Sequence, residues 1–514
     1  VETTEMRRST LQRKDRDELT EIATALGRKP GSRARKGEII DMILDLAAGG
    51  DGGAGEADDA GGGPTDAPVT DTSDGDDTDT DSGADDDADD DGDDDSSGPS
   101  DESSGEAKIE PGNRRRRRRG RDRESRSDTG EAWDGVPIPV EGLLDLRAEG
   151  YGFLRVNGLL ASRDDTYVPV KLVRQFGLRK GDVVAGPSRP ANRNEKNPAL
   201  ISVETVNGGT PEAAAARPEF DNLTPVHSTQ PLLLERVGES DNLAARLIDL
   251  LAPIGKGQRG LVVAPPRSGK TRLLREIVRS LEANHPDVHL IVLMIDERPE
   301  EVTEFRSALV NGELIASTFD RPTEEHTALA EVTIERAKRM VESGRDVVVI
   351  VDGITRLVRA YNQDVPATNR PLSAGLEPAA VHSVKRFLGA GRAVAEGGSL
   401  TLLATVLTES GSALDAAIGE EFFATANQQV RLDQRAAMRR VYPALDLGQT
   451  VTNRQELLLD DASMAQRIAL LAAIGQLLDS VGPVGALETV IERLAASTDN
   501  NQFLAEVVSR GLSS

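Results

Sequence analysis

The sequence predicts an α/β chain in four parts: an N-terminal helical module, an insert without fixed structure, a small OB-type β-barrel, and a larger parallel-sheet domain with a helical C-terminus. Three observations carry this. After residue 230, four apolar segments alternate with helical periodicity and read as buried parallel strands. Residues 133–208 hold five short strand candidates, broken repeatedly by Gly and Pro. Between residues 48 and 132, Gly, Asp, Ser and Thr dominate and almost nothing can be buried.

Composition narrows the functional classes. The 514 residues include no cysteine, which removes disulfide frameworks, thiolate metal sites and cysteine nucleophiles. No apolar run approaches the roughly 20 residues of a membrane helix. The chain opens with charged and polar residues and shows no secretory signal, so a cytoplasmic protein without a membrane partner is expected.

Residues 1–47 form the helical module. Leu19, Ile22, Ala23 and Leu26 recur at helical spacing, as do Ile39, Ile40, Ile43, Leu44 and Leu46, with a basic turn from Arg28 to Lys36 between them. Such a unit suits either nucleic-acid contact or protein docking. Residues 48–132 are expected to be disordered. The stretch 51–107 holds 23 acidic residues and no Lys or Arg, whereas 108–130 holds 10 basic against 4 acidic residues. The net charge of −26 therefore belongs mainly to one segment and says little about the folded domains. The run Arg114–Arg119 is either a salt-sensitive phosphate contact or a solvated tail that folds back on the acidic block.

Within 133–208 the strand candidates are Gly142–Leu146, Gly152–Val156, Thr166–Val170, Asp182–Gly186 and Ala199–Val203, a count that fits an OB-fold. Residues 209–235 read as a linker. In 236–514 the strands are Leu261–Ala264, Leu290–Ile295, Val347–Val351 and Leu400–Val406, with mainly helical sequence from residue 461 onward.

The first of these strands runs into Ala264-Pro-Pro-Arg-Ser-Gly269-Lys270-Thr271, and a helical stretch follows. A phosphate-binding loop requires that context, because its backbone N–H groups and the helix N-terminus together cradle a β-phosphate. Ala264 stands where the motif has its first Gly. Lys270 neutralises the β- and γ-phosphates and the Thr271 hydroxyl binds Mg²⁺, so ATP and Mg²⁺ are the expected cofactors. The strand ending in Asp352 supplies the Mg²⁺-side carboxylate. The strand ending in Asp296-Glu297-Arg298 supplies Glu297, which can orient and deprotonate an attacking water. Asp296 and Glu297 also fit a helix N-cap pair ahead of Pro299. Arg439, Arg440 and Arg454 lie far downstream and suit either fingers reaching a neighbouring subunit's nucleotide or interface salt bridges.

In the barrel, Tyr151 and Phe153 alternate with Gly150 and Gly152 and so share one face, followed by Leu154 and Arg155. Asp165, Thr166 and Tyr167 add a third ring and acceptors for base amino groups. Exposed rings on such a barrel stack on unpaired bases, and Arg155 can pair with phosphate; the alternative is that the rings fill the barrel core.

These blocks resemble the Rho family of bacterial transcription termination factors. The resemblance covers about 9–47 and 133–514 and rests on Gly150–Arg155, Asp165–Tyr167, Pro253–Gly260, Ile295–Glu304, Ala316–Asp320, Ile354–Leu357 with Ala360–Asn362, and Glu396–Thr401. It implies a cold-shock-like OB-fold joined to a RecA-like P-loop ATPase domain, in a homohexamer that acts as an RNA-dependent ATPase and 5′-to-3′ RNA–DNA helicase. By resemblance, nucleotide contacts are Lys256, Gly257, Gln258, Arg259, Gly260, Arg267, Ser268, Gly269, Lys270, Thr271, Arg272 and Arg298. Glu297 is the catalytic glutamate, Arg454 the arginine finger and Arg440 a second active-site arginine. The central-channel loops that grip RNA are Val365–Leu372, with Arg370, and Glu409–Leu414, with Gly411, Ser412 and Ala413.

Three positions depart from the family pattern. Ala413 stands where the second channel loop commonly carries Lys, and Gly353 replaces the usual Ser after Asp352. In Glu195-Lys196-Asn197, which aligns with the RNA site, Asn197 replaces a common aromatic and removes one wall of the base pocket. The implied partners are single-stranded, pyrimidine-rich nascent RNA and RNA polymerase. Two rival classes remain: a rotary-type ATPase subunit and a non-catalytic RNA-binding protein.

Overall fold

The computed structural model describes residues 16–25, 36–37, 39–40, 42–43, 135–192, 195–368 and 370–512. The acidic block and the arginine run lie outside the described residues. The chain divides into two units, Val1–Arg114 and Arg115–Ser514. In the first, helix α1 (Arg16–Ala25) and helical residues 36–37, 39–40 and 42–43 bury Leu19, Ala23, Ile39, Ile40 and Ile43 in a small cluster. The described part of the two helical patterns is present.

The second unit begins with a six-stranded barrel sheet: β1 (Ile138–Leu146), β2 (Gly152–Arg155), β3 (Thr166–Val168), β4 (Val183–Arg189), β5 (Ala199–Leu200) and β6 (Thr205–Val206). Helix α2 (Val170–Phe176) follows β3, where the sequence pattern ran the strand on to Val170. Leu144, Leu154, Val168, Leu172, Val184 and Leu200 fill the barrel. Gly152 is a packing requirement there: a Cβ would lie 2.8 Å from Leu144 Cδ1 and 2.9 Å from the Asp145 carbonyl.

After α3 (Pro211–Ala216), the larger domain builds a nine-stranded sheet from β7 (Pro225–Val226), β8 (Arg259–Ala264), β9 (His289–Glu297), β10 (Glu313–Thr318), β11 (Asp346–Asp352), β12 (Arg392–Val394), β13 (Ser399–Leu407), β14 (Gln428–Arg431) and β15 (Val451–Thr452). The order is β10-β9-β11-β13-β8-β14-β15, parallel from β10 through β14, with β15 antiparallel at the edge. Alternation decides the faces. Val348 and Ile350 join one core with α4 (Leu243–Leu251) and α5 (Lys270–Asn284). Val347, Val349 and Val351 join the other core. The remaining helices are α6 (Pro299–Ala308), α7 (Thr323–Glu342), α8 (Ile354–Asp364), α9 (Pro378–Gly389), α10 (Ala413–Phe423), α11 (Gln434–Met438), α12 (Asp461–Ala496) and α13 (Asn500–Arg510).

One expectation needs correction: α12 is long and apolar enough, by length and composition, to cross a bilayer. Its Leu470, Ile474, Leu477, Leu487, Val490 and Leu494 pack into the first core, and Gly482 and Pro483 break its geometry.

The barrel is clamped to the larger domain by buried charge. Asp182 accepts from Arg217 at 2.7 Å, and Arg217 Nε donates to Glu342 of α7 at 3.0 Å. Glu342 also pairs with Arg339 and Arg179 and accepts the Phe220 N–H at 2.8 Å. The turn at Gly181 abuts α7 so closely that a Cβ would lie 2.6 Å from the Arg336 nitrogen.

Candidate nucleotide and RNA sites

The carboxyl ends of β8, β9 and β11 converge. Between β8 and α5 the loop turns through positive φ at Arg267 (62°) and Gly269 (94°). Buried Ser268 closes the loop by donating to the Pro265 carbonyl at 2.7 Å. At the helix start, Lys270 Nζ donates to Glu297 Oε1 at 2.8 Å and pairs with Asp352. Arg356 of α8 pairs with Glu297 Oε1 at 2.7 Å and donates to the Asp296 carbonyl at 2.5 Å. Burial pushes Glu297 upward, but Lys270 and Arg356 outweigh it and hold the carboxyl below its ordinary value. Burial pulls Lys270 down, and Asp352 and Glu297 outweigh that, raising it. The shifts of both groups favour their charged forms.

Asp352 is fully buried. Its Oδ1 accepts from Thr405 Oγ1 of the adjacent strand at 2.8 Å, while Oδ2 has no partner among the described residues. An orphaned buried carboxylate oxygen beside a lysine fits a site for a hydrated divalent cation. The Thr271 hydroxyl, on the residue after Lys270, donates to Glu301 at 3.1 Å. The N-cap reading of Asp296 fails: β9 continues through Glu297, and Arg298 is the N-cap of α6, without a side-chain bond.

Beside the loop, a cavity of about 280 Å³ is lined by Ser268, Gly269, Arg272, Asn242 and Tyr442, among others. The Tyr442 ring lies 6.0 Å from the Arg272 guanidinium, and a Cβ on Gly269 would come 3.3 Å from it. Tyr442, Arg356, Thr405 and Glu301 also contact site residues and are not among those the sequence marks. The motif Val441-Tyr-Pro443 after Arg440 was the available signal for Tyr442, as Ile354-Thr-Arg-Leu357 was for Arg356.

On the barrel, Tyr151, Phe153 and Tyr167 are half-buried and touch one another, with ring centroids 5.7–6.0 Å apart. They lie outside the barrel core. Several neighbours differ from expectation. Leu154 is a core residue at 0% exposure. Arg155 is buried between Asp145 and Asp165, its guanidinium 5.8 Å from the Phe153 ring, so it underpins the aromatic face and is not free for phosphate. Asp165 is spent on Arg155 and on Ser162, and Thr166 is buried. Glu195 pairs with Arg189, Asn197 donates to the Asp165 carbonyl at 2.9 Å, and Lys196 is exposed.

Comparison with known proteins matches both halves. The family pattern described as "ATP synthase alpha/beta family, nucleotide-binding domain" matches residues 244–452, and "Rho termination factor, RNA-binding domain" matches 140–212. The transcription termination factor Rho of Buchnera aphidicola is 45% identical over 375 residues, 72% of this chain and 88% of that protein. The chain belongs to the Rho termination factor family. Rho of Salmonella typhimurium shows the same identity and coverage. Rho of Mycobacterium tuberculosis is 45% identical over 404 residues, 77% of this chain, and the chain spans only 65% of that relative's length.

In this Rho-family chain the structure divides the expected nucleotide residues into two groups. Arg267, Arg272 and Arg298 are exposed around the loop, and Arg440, with φ 64°, lies two residues before Tyr442. Lys256, Gly257, Gln258, Arg259 and Gly260 do not join them. They lie at the amino end of β8, about 20 Å from the loop at strand rise. Lys256 pairs there with Asp346 at 2.7 Å, and the Arg259 side chain donates to the Thr425 and Gly391 carbonyls. Gly257 and Gly260 are close-packing positions against Ala393 and Gln428. Arg454 is also at this end, just past β15, half-exposed and paired with Glu456 at 2.5 Å. It lies at the opposite end of the sheet from its own chain's loop. Both proposed RNA loops are at the surface, with Arg370, Gly411 and Ala413 exposed, Val365 and Ser412 half-exposed.

Proposed function

We propose that this protein is an ATP-driven RNA translocase and helicase of the cytoplasm, working as a homohexameric ring that engages single-stranded, pyrimidine-rich nascent RNA and dissociates RNA polymerase. The observation that supports it best is the pairing, in one chain, of an assembled Lys270–Glu297–Asp352 centre with a ring cluster of Tyr151, Phe153 and Tyr167 on a barrel. Rings in this arrangement stack on unpaired bases. The loop N–H groups and Lys270 bind the ATP phosphates, exchanging the lysine's carboxylate partners for phosphate oxygens. Thr271 and Asp352 would hold Mg²⁺, which would supply charge neutralisation at the ATP phosphates. Glu297, ionised at neutral pH, orients the attacking water and accepts its proton. Arg454 of the neighbouring copy offsets the charge that develops on the phosphoryl group. Tyr442 forms one wall for the nucleobase.

The ATP synthase-type match of residues 244–452 favours a second reading, a rotary-type subunit. Steady-state ATP hydrolysis with no RNA, poly(C), poly(U) or duplex DNA separates them. Strong stimulation by single-stranded RNA, greatest with poly(C), supports the translocase, and Lys270→Ala should abolish turnover. RNA-independent turnover would favour the rotary reading. Binding of RNA without any turnover would leave a non-catalytic protein.

A further inference from the structure

Helix α8 starts two residues after Asp352 and ends where the first candidate RNA loop begins. Three of its side chains, spaced by three residues so that successive turns bring them to neighbouring positions, reach three different places. Arg356 pairs with Glu297 at 2.7 Å. Arg359 forks onto Asp415, with Nε 2.9 Å from Oδ1 and Nη2 2.6 Å from each oxygen. Asn362 accepts the Glu377 N–H at 2.7 Å and donates to the Gly375 carbonyl at 3.3 Å. Glu377 in turn accepts from the Thr368 hydroxyl at 2.7 Å, closing the first loop. At its near end α8 is tied to β13, where Thr355 Oγ1 accepts the Leu407 N–H at 2.9 Å.

Asp415 is the junction on the far side. It is 1% exposed, at the start of α10, and also accepts from Ser410 Oγ at 2.6 Å, while its own N–H donates to Ser412 Oγ at 3.4 Å. It therefore holds the second candidate RNA loop from within. Arg359 is its one cationic partner among the described residues. A buried carboxylate held by a forked guanidinium has a sharply defined geometry. Ala413 leaves loop 409–413 without a long cationic side chain, so the loop must place its hydroxyls and backbone accurately to hold a strand.

We propose that Arg359 and Asp415 are positioning residues that transmit the state of the Glu297 centre, through α8, to the second RNA loop. This rests on reading loops 365–372 and 409–414 as RNA contacts. Rupture of the pair should uncouple RNA from hydrolysis while leaving both separate activities in place.

The test uses the full chain in three forms: wild type, the double variant Arg359→Gln/Asp415→Asn, which removes both charges together, and Arg359→Lys. Three quantities are read: basal ATP turnover, the ratio of poly(C)-stimulated to basal turnover, and affinity for a short labelled oligo(C) bound at the barrel. The double variant should keep basal turnover and oligo(C) affinity within about twofold and lose about tenfold or more of the stimulation ratio. Arg359→Lys, which keeps the charge but not the fork, should fall between. A double variant with the wild-type ratio overturns the proposal. So does parallel loss of basal and stimulated turnover in a normally folded Arg359→Lys protein. A wild type that RNA does not stimulate overturns the RNA reading itself, an outcome visible before any variant is compared.

Discussion

Glu297 shows how one residue's chemistry depends on its neighbours. Its folded pKa is depressed because Lys270 and Arg356 outweigh the cost of burial. The pairing therefore stabilises the folded chain fully above the ordinary glutamate range, near about 4.3, and is lost as pH falls through the lower folded value. Melting of the nucleotide-free protein across the acid range should show a shallower loss of stability in Glu297→Gln than in wild type; equal slopes would mean that the pairing contributes nothing. Glu297, Lys270 and Asp352 were legible in the sequence because phosphate chemistry demands particular residue types at the ends of apolar strands. Arg155 and Asp165 were not. An arginine two positions from an aromatic reads as exposed, and only the pairing of β1 with β2, which sets Asp145 opposite Phe153, shows where its charge is spent. Lys256 to Gly260 rest on resemblance, and spacing does not show that β8 separates them from the loop of their own chain.

At the scale of the element, β2 separates binding from stability. Phe153 stands on its outer face with Tyr151 and Tyr167, and Arg155 stands on the same face but beneath it. Phe153→Ala should weaken oligo(C) binding by about 1–3 kcal/mol, roughly 5- to 150-fold, with an unchanged melting temperature. Arg155→Ala leaves buried Asp165 without its cation and Asp145 with only its longer contacts to Lys180 (3.6 Å) and Arg147 (3.8 Å), and should cost about 3–5 kcal/mol of barrel stability, seen first in thermal melts. Equal melting of the two variants would contradict this division. Elements apolar on both faces, such as β11 and β13, were legible as strands. β10 and β14 were not, because polar residues break their apolar pattern: Glu313 on edge strand β10, and Arg431 and buried Gln428, whose amide donates to the Ala252 carbonyl, on β14. The start of helix α2 was hidden because Pro169 and Val170 continue the apolar look of β3.

For the whole molecule, the decisive fact is that the loop and Arg454 occupy opposite ends of the same sheet. An interface between copies that joins them is head-to-tail, the kind of interface that gives a ring where the rotation closes. Arg454→Ala protein has an intact loop and Lys270→Ala protein an intact finger. Each should be inactive alone, yet a re-assembled equal mixture should recover roughly a quarter of wild-type turnover, since a quarter of random head-to-tail junctions unite the two intact halves. A mixture no more active than its components would place the finger elsewhere. This arrangement could not be read from spacing, which left Arg454 equally suited to a salt bridge; the antiparallel turn of β15 puts it at the amino end.

The clamp of Asp182, Arg217 and Glu342 bears on how the chain can be taken apart. It makes the junction of the barrel with the larger domain a shared ionic core and not a hinge between two independent modules. A cut just after Arg217 would strip Glu342, a carboxylate with 0% side-chain exposure, of Arg179 and Arg217 and leave Arg339 as its one cationic partner among the described residues. Anyone dissecting the protein, or grafting a foreign barrel onto its motor, inherits that charge: the transplant has to carry its own counterparts of Asp182 and Arg217, along with a glycine at 181 to clear α7.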